Sequence, residues 1–215
     1  MNPALAGVAL AILVGAIVAS SARNARTAIL GLVVTMVGVP LLADPPAEPL
    51  ALAGRLVAAV LAGYLLWVAA RGIRSGTGGS LVGWPTEAFV AIAGAAVGYG
   101  SHGLGAPAAG PALASAVGFA LAALSVLPVV NGRDVLRIGL GLGLLLSGAL
   151  LLRTSLGGTP GELEQLLTAG LVATLGGAVA ILAVAARTDG HEGFELSTTT
   201  HRSARGSDAR PHDPR

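Results

Sequence analysis

The stretch NGRDVLRIGLGLGLLLSGALLLR, residues 131–153, sets Arg133, Asp134 and Arg137 ahead of fifteen residues without an ionisable side chain and closes on Arg153. A bilayer core takes about 20 apolar residues per helix, within a range of roughly 17 to 25. Read against that length, 138–152 is a short transmembrane helix whose arginines snorkel out of its two ends. Its interior offers glycines and Ser147 instead of the carboxylate that a proton- or ion-moving helix would carry near its middle.

Six more apolar segments flank it, near 4–20, 27–43, 50–70, 88–105, 112–130 and 166–186. Of the 215 residues 53% are hydrophobic and 11% charged, and the mean hydropathy is +0.77. That is too little charge to cover the surface of a soluble domain of this length. The chain is therefore expected to be all-α, a polytopic membrane helix bundle of about seven transmembrane helices over 1–186. Residues 187–215 are polar and almost free of apolar side chains, so a disordered cytoplasmic tail is expected there. The first segment has no positive charge ahead of it, and Arg23 and Arg26 follow it. This is the reverse of a secretory signal, so it reads as a retained transmembrane helix.

Arginine placement orients the bundle. Arg23 and Arg26, Arg71 and Arg74, Arg133 and Arg137, and five arginines of the tail fall on one side of the seven spans. The other connections together hold Arg153 alone. The positive-inside rule then puts the N-terminus outside and the C-terminus in the cytoplasm. Trp67 and Trp84 fall at the cytoplasmic ends of the third and fourth spans, as an aromatic belt requires. The pI near 9.9 sums these flanking arginines and implies no nucleic-acid partner.

Small residues recur at four-residue spacing, on one face of a helix: Gly7, Ala11, Gly15 and Ala19; Gly94 and Gly98; Gly139, Gly143 and Ser147. Such faces let backbones touch, either within a tight bundle or at a subunit interface. Two sites invite a functional reading. Arg55 lies about one and a half turns inside the third span; it either snorkels towards Asp44 or Glu48 or meets an anion or lipid headgroup. Tyr99 and His102 are three residues apart and either form a proton relay or sit unremarkably at the outer interface. Thr35, Ser115, Ser125, Ser147 and Thr174 are expected to bond to backbone carbonyls or neighbouring helices.

Enzymatic chemistry finds no constellation. There is no cysteine, and no GxxxxGK[ST], HExxH or GxSxG occurs. The glycine-rich IRSGTGGSLVGW, 73–84, lacks the lysine of a phosphate loop and reads as a flexible connection. The histidines at 191, 201 and 212 are irregularly spaced and read as solvated. No catalytic, cofactor-binding or metal-binding residue is predicted.

The last three spans, NGRDVLRIGLGLGLLLSGALLL and TAGLVATLGGAVAILAVAARTDG, resemble membrane component E of energy-converting hydrogenases and the related subunit K of NADH-quinone oxidoreductase. The matching positions are Arg133, Arg137, Gly141, Gly148 and Gly170, and the similarity covers about a third of the chain, mainly 112–190. The resemblance implies a small helical subunit beside larger antiporter-like partners. The acids that this family carries in its last two helices are missing here: Gly143, Leu146 and Ser147, then Thr174 and Leu175, stand in their place. The expectation is thus a non-catalytic membrane subunit of a respiratory or hydrogenase-like complex in the inner (plasma) membrane, in contact with lipids and other subunits. The alternatives are a stand-alone small-solute permease using Arg55 or His102, and a membrane anchor whose tail docks a soluble partner.

Overall fold

Each apolar run becomes a helix, and local chemistry sets where it starts and stops. The computed structural model describes residues 3–43, 48–71, 83–104, 110–132 and 134–188. Among them are seven α-helices, one 3-10 turn and no strand. The helices are α1 (Pro3–Ser21), α2 (Ala25–Gly38, continued by the turn Val39–Leu42), α3 (Pro49–Ala69), α4 (Trp84–Gly100), α5 (Ala112–Asn131), α6 (Val135–Gly157) and α7 (Glu162–Thr188). Asn24 caps α2, its side-chain oxygen accepting from the Arg26 N–H at 3.0 Å. Asp134 caps α6 in the same way, accepting from the Leu136 N–H at 3.3 Å. Each cap satisfies a first-turn donor that has no partner within its helix. Pro49 and Pro85 occupy first turns, where a missing N–H is no loss.

α6 departs from its sequence reading. It spans 23 residues, so Arg137 and Arg153 lie inside the helix and not beyond its ends. Arginine is a good helix former, so the helix runs past its apolar stretch until Gly158, at φ +73, stops it. α4 begins four residues before the expected 88 and ends at Gly100. Pro85 favours the early start, and Gly103, at φ +78, lies in the turn that follows the helix.

Six elements are long and apolar enough to cross a bilayer: α1, α2 with its turn (Ala25–Leu42), α3, α5, α6 and Glu162–Ala186 of α7. α4, with 17 residues and a rise of about 26 Å, is not among them and stands at the lower end of the range for a span. The residues 189–215 assigned to a tail lie outside the described part of the chain.

α5 is the hub, packed on α4 and α6 and touching α1, while α1 packs on α2. α3 and α7 form a second pair, joined to the rest through α2 and α6. Ile12, Leu32, Leu121, Leu124 and Leu144 fill the centre. Successive helices alternate in direction. One end of the bundle, the arginine end, gathers the Arg26 guanidinium 5.6 Å from the Trp67 ring centre and Arg137 beside Ala22. The opposite, glutamate end gathers Glu48, Glu162 and Glu164 with Arg153.

Candidate functional site

The small-residue faces are occupied within the chain. Gly15 of α1 meets Gly31 of α2 so closely that a Cβ on Gly31 would lie 2.5 Å from the Gly15 carbonyl oxygen. Gly98 faces the Ser115 carbonyl of α5, and Gly94 faces the backbone of Ala120. On α6, Gly139 receives Val179 of α7, and Gly143 receives Leu32 and Met36 of α2. A second α6 face, Gly141 and Gly148, lies against α5. Gly7 has nothing within 4 Å, so the contact face of α1 begins further along the helix.

Most of the hydroxyls are committed too, while Ser155 Oγ of α6 is buried without a hydrogen-bond partner among the described residues. Ser115 Oγ donates across the α4–α5 contact to the Gly98 carbonyl at 2.8 Å, and Thr35 Oγ1 lies within reach of the Ile12 and Gly31 carbonyls at 3.3 and 3.0 Å. Ser125, Ser147 and Thr174 donate to carbonyls of their own helices. In hydrocarbon a main-chain carbonyl is often the partner at hand, and the bond removes the cost of a bare hydroxyl.

Where the α3–α7 pair meets α2 and α6, the packing leaves a shallow cleft of ≈ 20 Å³, room for about one water. Arg55 and Ala59 line it from α3, and Ala169 and Val172 from α7, pairs spaced so that each shares a helix face. Met36 and Val39 close it on one side, Ser147 and Leu150 on the other. Arg55 is half-buried, six residues or about 9 Å along α3. A guanidinium at the bilayer centre costs about 2.5–3.5 kcal/mol to insert, and lining a cleft near the helix end reduces that cost. Among the described residues no hydrogen bond or salt bridge reaches its side chain.

The carboxylate whose charge acts on Arg55 is Glu164, not Glu48; Asp44 lies outside the described residues. Glu164 Oε2 accepts from Arg153 Nη2 at 2.9 Å. Glu48, exposed at the head of α3, lies beside Glu162. A hydrogen bond between the two carboxyls, and the repulsion of their charges, hold the Glu48 carboxyl above the usual carboxylate range.

Tyr99 is exposed on α4, and His102 lies in the turn beyond it. Among the described residues no hydrogen bond joins their side chains. The His102 N–H reaches the Tyr99 carbonyl at 3.4 Å, and the His102 Nδ1 is buried without a partner.

The arginine end holds a group that sequence reasoning passed over as a helix-end acid. Glu87, in the first turn of α4, is 1% exposed, and its charge acts on Arg137 of α6 together with that of Asp134. Arg137 Nη2 donates to the Ala22 carbonyl at 3.1 Å, tying α6 to the end of α1. A readable signal existed: Glu87, Ala91, Gly94 and Gly98 recur at spacings of four, three and four, on the α4 face that meets the bundle.

The apolar length of six helices and the inward-turned hydroxyls define the class: a multi-pass helical membrane protein. No family model, curated protein or solved structure matches the chain.

Proposed function

We propose that the chain is a non-catalytic packing subunit of a larger membrane complex of the respiratory or hydrogenase-like kind, seated in the inner (plasma) membrane with its arginine end in the cytoplasm. The observation that carries this reading is the interior. The hydroxyls of Thr35, Ser115, Ser125, Ser147 and Thr174 bond to main-chain carbonyls, Ser155 of α6 being an exception, glycines close the helices on one another, and the carboxylates of the described helices stand in first turns. No file of titratable groups crosses the bundle among the described residues, as a proton path would need. The resemblance of the last three spans to component E and subunit K supports the choice of complex, and the arrangement of arginines supports the orientation.

Because the glycine faces are used internally, contacts with partners fall on the apolar ridges left outside. Phe89 and Ile92 of α4 and Leu163, Leu167 and Ile181 of α7 form such ridges. The test is purification of the tagged chain from its native membrane in mild detergent, followed by a native gel and mass spectrometry. Stoichiometric recovery with antiporter-like and redox subunits is expected. A partner-free, monodisperse chain would overturn the proposal.

A further inference from the structure

At the arginine end, two exposed apolar stripes each run up to an arginine. On α2, Val34 and Leu30 are exposed, and Arg26 follows at the same four-residue spacing, exposed as well. On α3 the exposed stripe climbs through Val60, Tyr64 and Val68 to Arg71. The two helices pack together, Val33 of α2 against Gly63 of α3. The Arg26 guanidinium lies 5.6 Å from the Trp67 ring centre, and Arg71 stands one turn beyond Trp67. The two arginines therefore head neighbouring stripes at one level of the bundle.

We propose that this corner of α2 and α3 binds the headgroup of an anionic phospholipid, its phosphate on the Arg26 and Arg71 guanidiniums beside Trp67. Attraction to the Trp67 ring holds the Arg26 guanidinium in place and does not require its in-plane N–H fork. That fork matches a phosphate with two parallel hydrogen bonds. Charge selects the headgroup. The α1–α2 connection, 22–26, and the residues from 70 to 83 contain three further cations or site arginines, Arg23, Arg71 and Arg74, and no Asp or Glu. The first turn of α2 has no acid either, and Arg26 there faces the positive end of its own helix dipole. The acids described at this end belong to other helices: Glu87 is buried in α4, and Asp134 caps α6. A zwitterionic headgroup would find no carboxylate here for its ammonium, whereas an anionic one meets only positive charge.

Position points to a lipid over a free anion. Both arginines stand at the ends of membrane-length helices, with a tryptophan beside them at the level where such rings mark the interface. The stripes beneath them are exposed and apolar, the surface along which acyl chains lie. The site lies within one chain, so its test is independent of the complex proposed above.

Trp67 is itself the probe. The full-length chain carrying Trp84→Phe keeps Trp67 as its one tryptophan. It is reconstituted into phosphatidylcholine vesicles containing a small share of brominated phosphatidylglycerol or of brominated phosphatidylcholine, and quenching of the tryptophan fluorescence is measured. Stronger quenching per mole of the brominated phosphatidylglycerol is expected. Arg26→Gln and Arg71→Gln should each lower its apparent affinity about fivefold. Arg71 makes no contact with the ring on which the test depends being folded around Arg26, so Arg71→Gln keeps the test decisive if Arg26→Gln does not fold. Equal quenching by the two brominated lipids would overturn the proposal, as would a preference that survives both substitutions together. An equal loss in Arg133→Gln, on the α5–α6 connection, would show a diffuse attraction of the whole arginine end and would also overturn it. So would displacement of the brominated phosphatidylglycerol by inorganic phosphate at constant ionic strength, which would mark a free-anion site.

Discussion

Glu87 and Arg137 show how much a single side chain can decide at the end of a helix. Desolvating a carboxylate is costly, and the positive charge of Arg137 acts in its favour. Arg137→Leu removes that favourable charge and the bond to the Ala22 carbonyl, and is expected to cost about 1–3 kcal/mol. Glu87→Gln should relieve part of that loss when combined with it. Reversible unfolding in mixed detergent measures the cycle, and strictly additive effects would show that the two groups do not interact. The periodicity linking Glu87 to Gly94 and Gly98 was legible in the sequence. Its burial was not, because the start of α4 depends on Pro85 and on the residues that pack over its first turn.

Among the elements, α6 is, with α2, one of the two that join the halves of the bundle. Its Gly141 and Gly148 admit α5, and its Gly139 and Gly143 admit α7 and α2. The contact between α1 and α2 is equally close, and there the atoms facing Gly31 are backbone, which cannot move aside. Gly31→Val should separate the helices and destabilise the bundle by about 1–3 kcal/mol or more. Gly7→Ala faces open space and should not lower the unfolding midpoint. If both variants melted alike, the spacing of small residues would be a matter of composition and not of contact. At the end of α6, Gly158 has φ 73 and ψ −161, a region essentially reserved for glycine. Gly158→Ala should cost about 1–3 kcal/mol, visible as a lower melting temperature with helix content retained.

For the molecule as a whole, the two ends differ in chemistry. The arginine end is held by side chain to backbone and cation–ring contacts, the glutamate end by a carboxyl pair beside an ion pair. The latter makes stability pH-dependent. Glu48 has its folded value raised above the ordinary 4.5, so its contribution is fully present below that value. It is lost as the pH rises through the raised folded value, where the carboxyl must ionise beside Glu162. Melting temperatures taken from about pH 4 to pH 7 should therefore carry a falling contribution, and Glu48→Gln should remove it. An unchanged slope in that variant would assign the pH dependence to other groups.

Composition and helix-length apolar runs determined by themselves that the chain is a bundle of membrane-length helices, because a bilayer admits so few ways of satisfying a backbone. The four-residue spacing of small residues likewise announced close packing. Only the tertiary structure decided which glycine meets which helix, because every Gly and Ala stripe is locally equivalent and its partner is chosen by the fit of whole helices. It also decided that Arg55 opens onto a cleft beside Glu164, and that Glu87 is buried near Arg137. Both depend on charges brought together from segments far apart in the chain, at distances that no local spacing encodes.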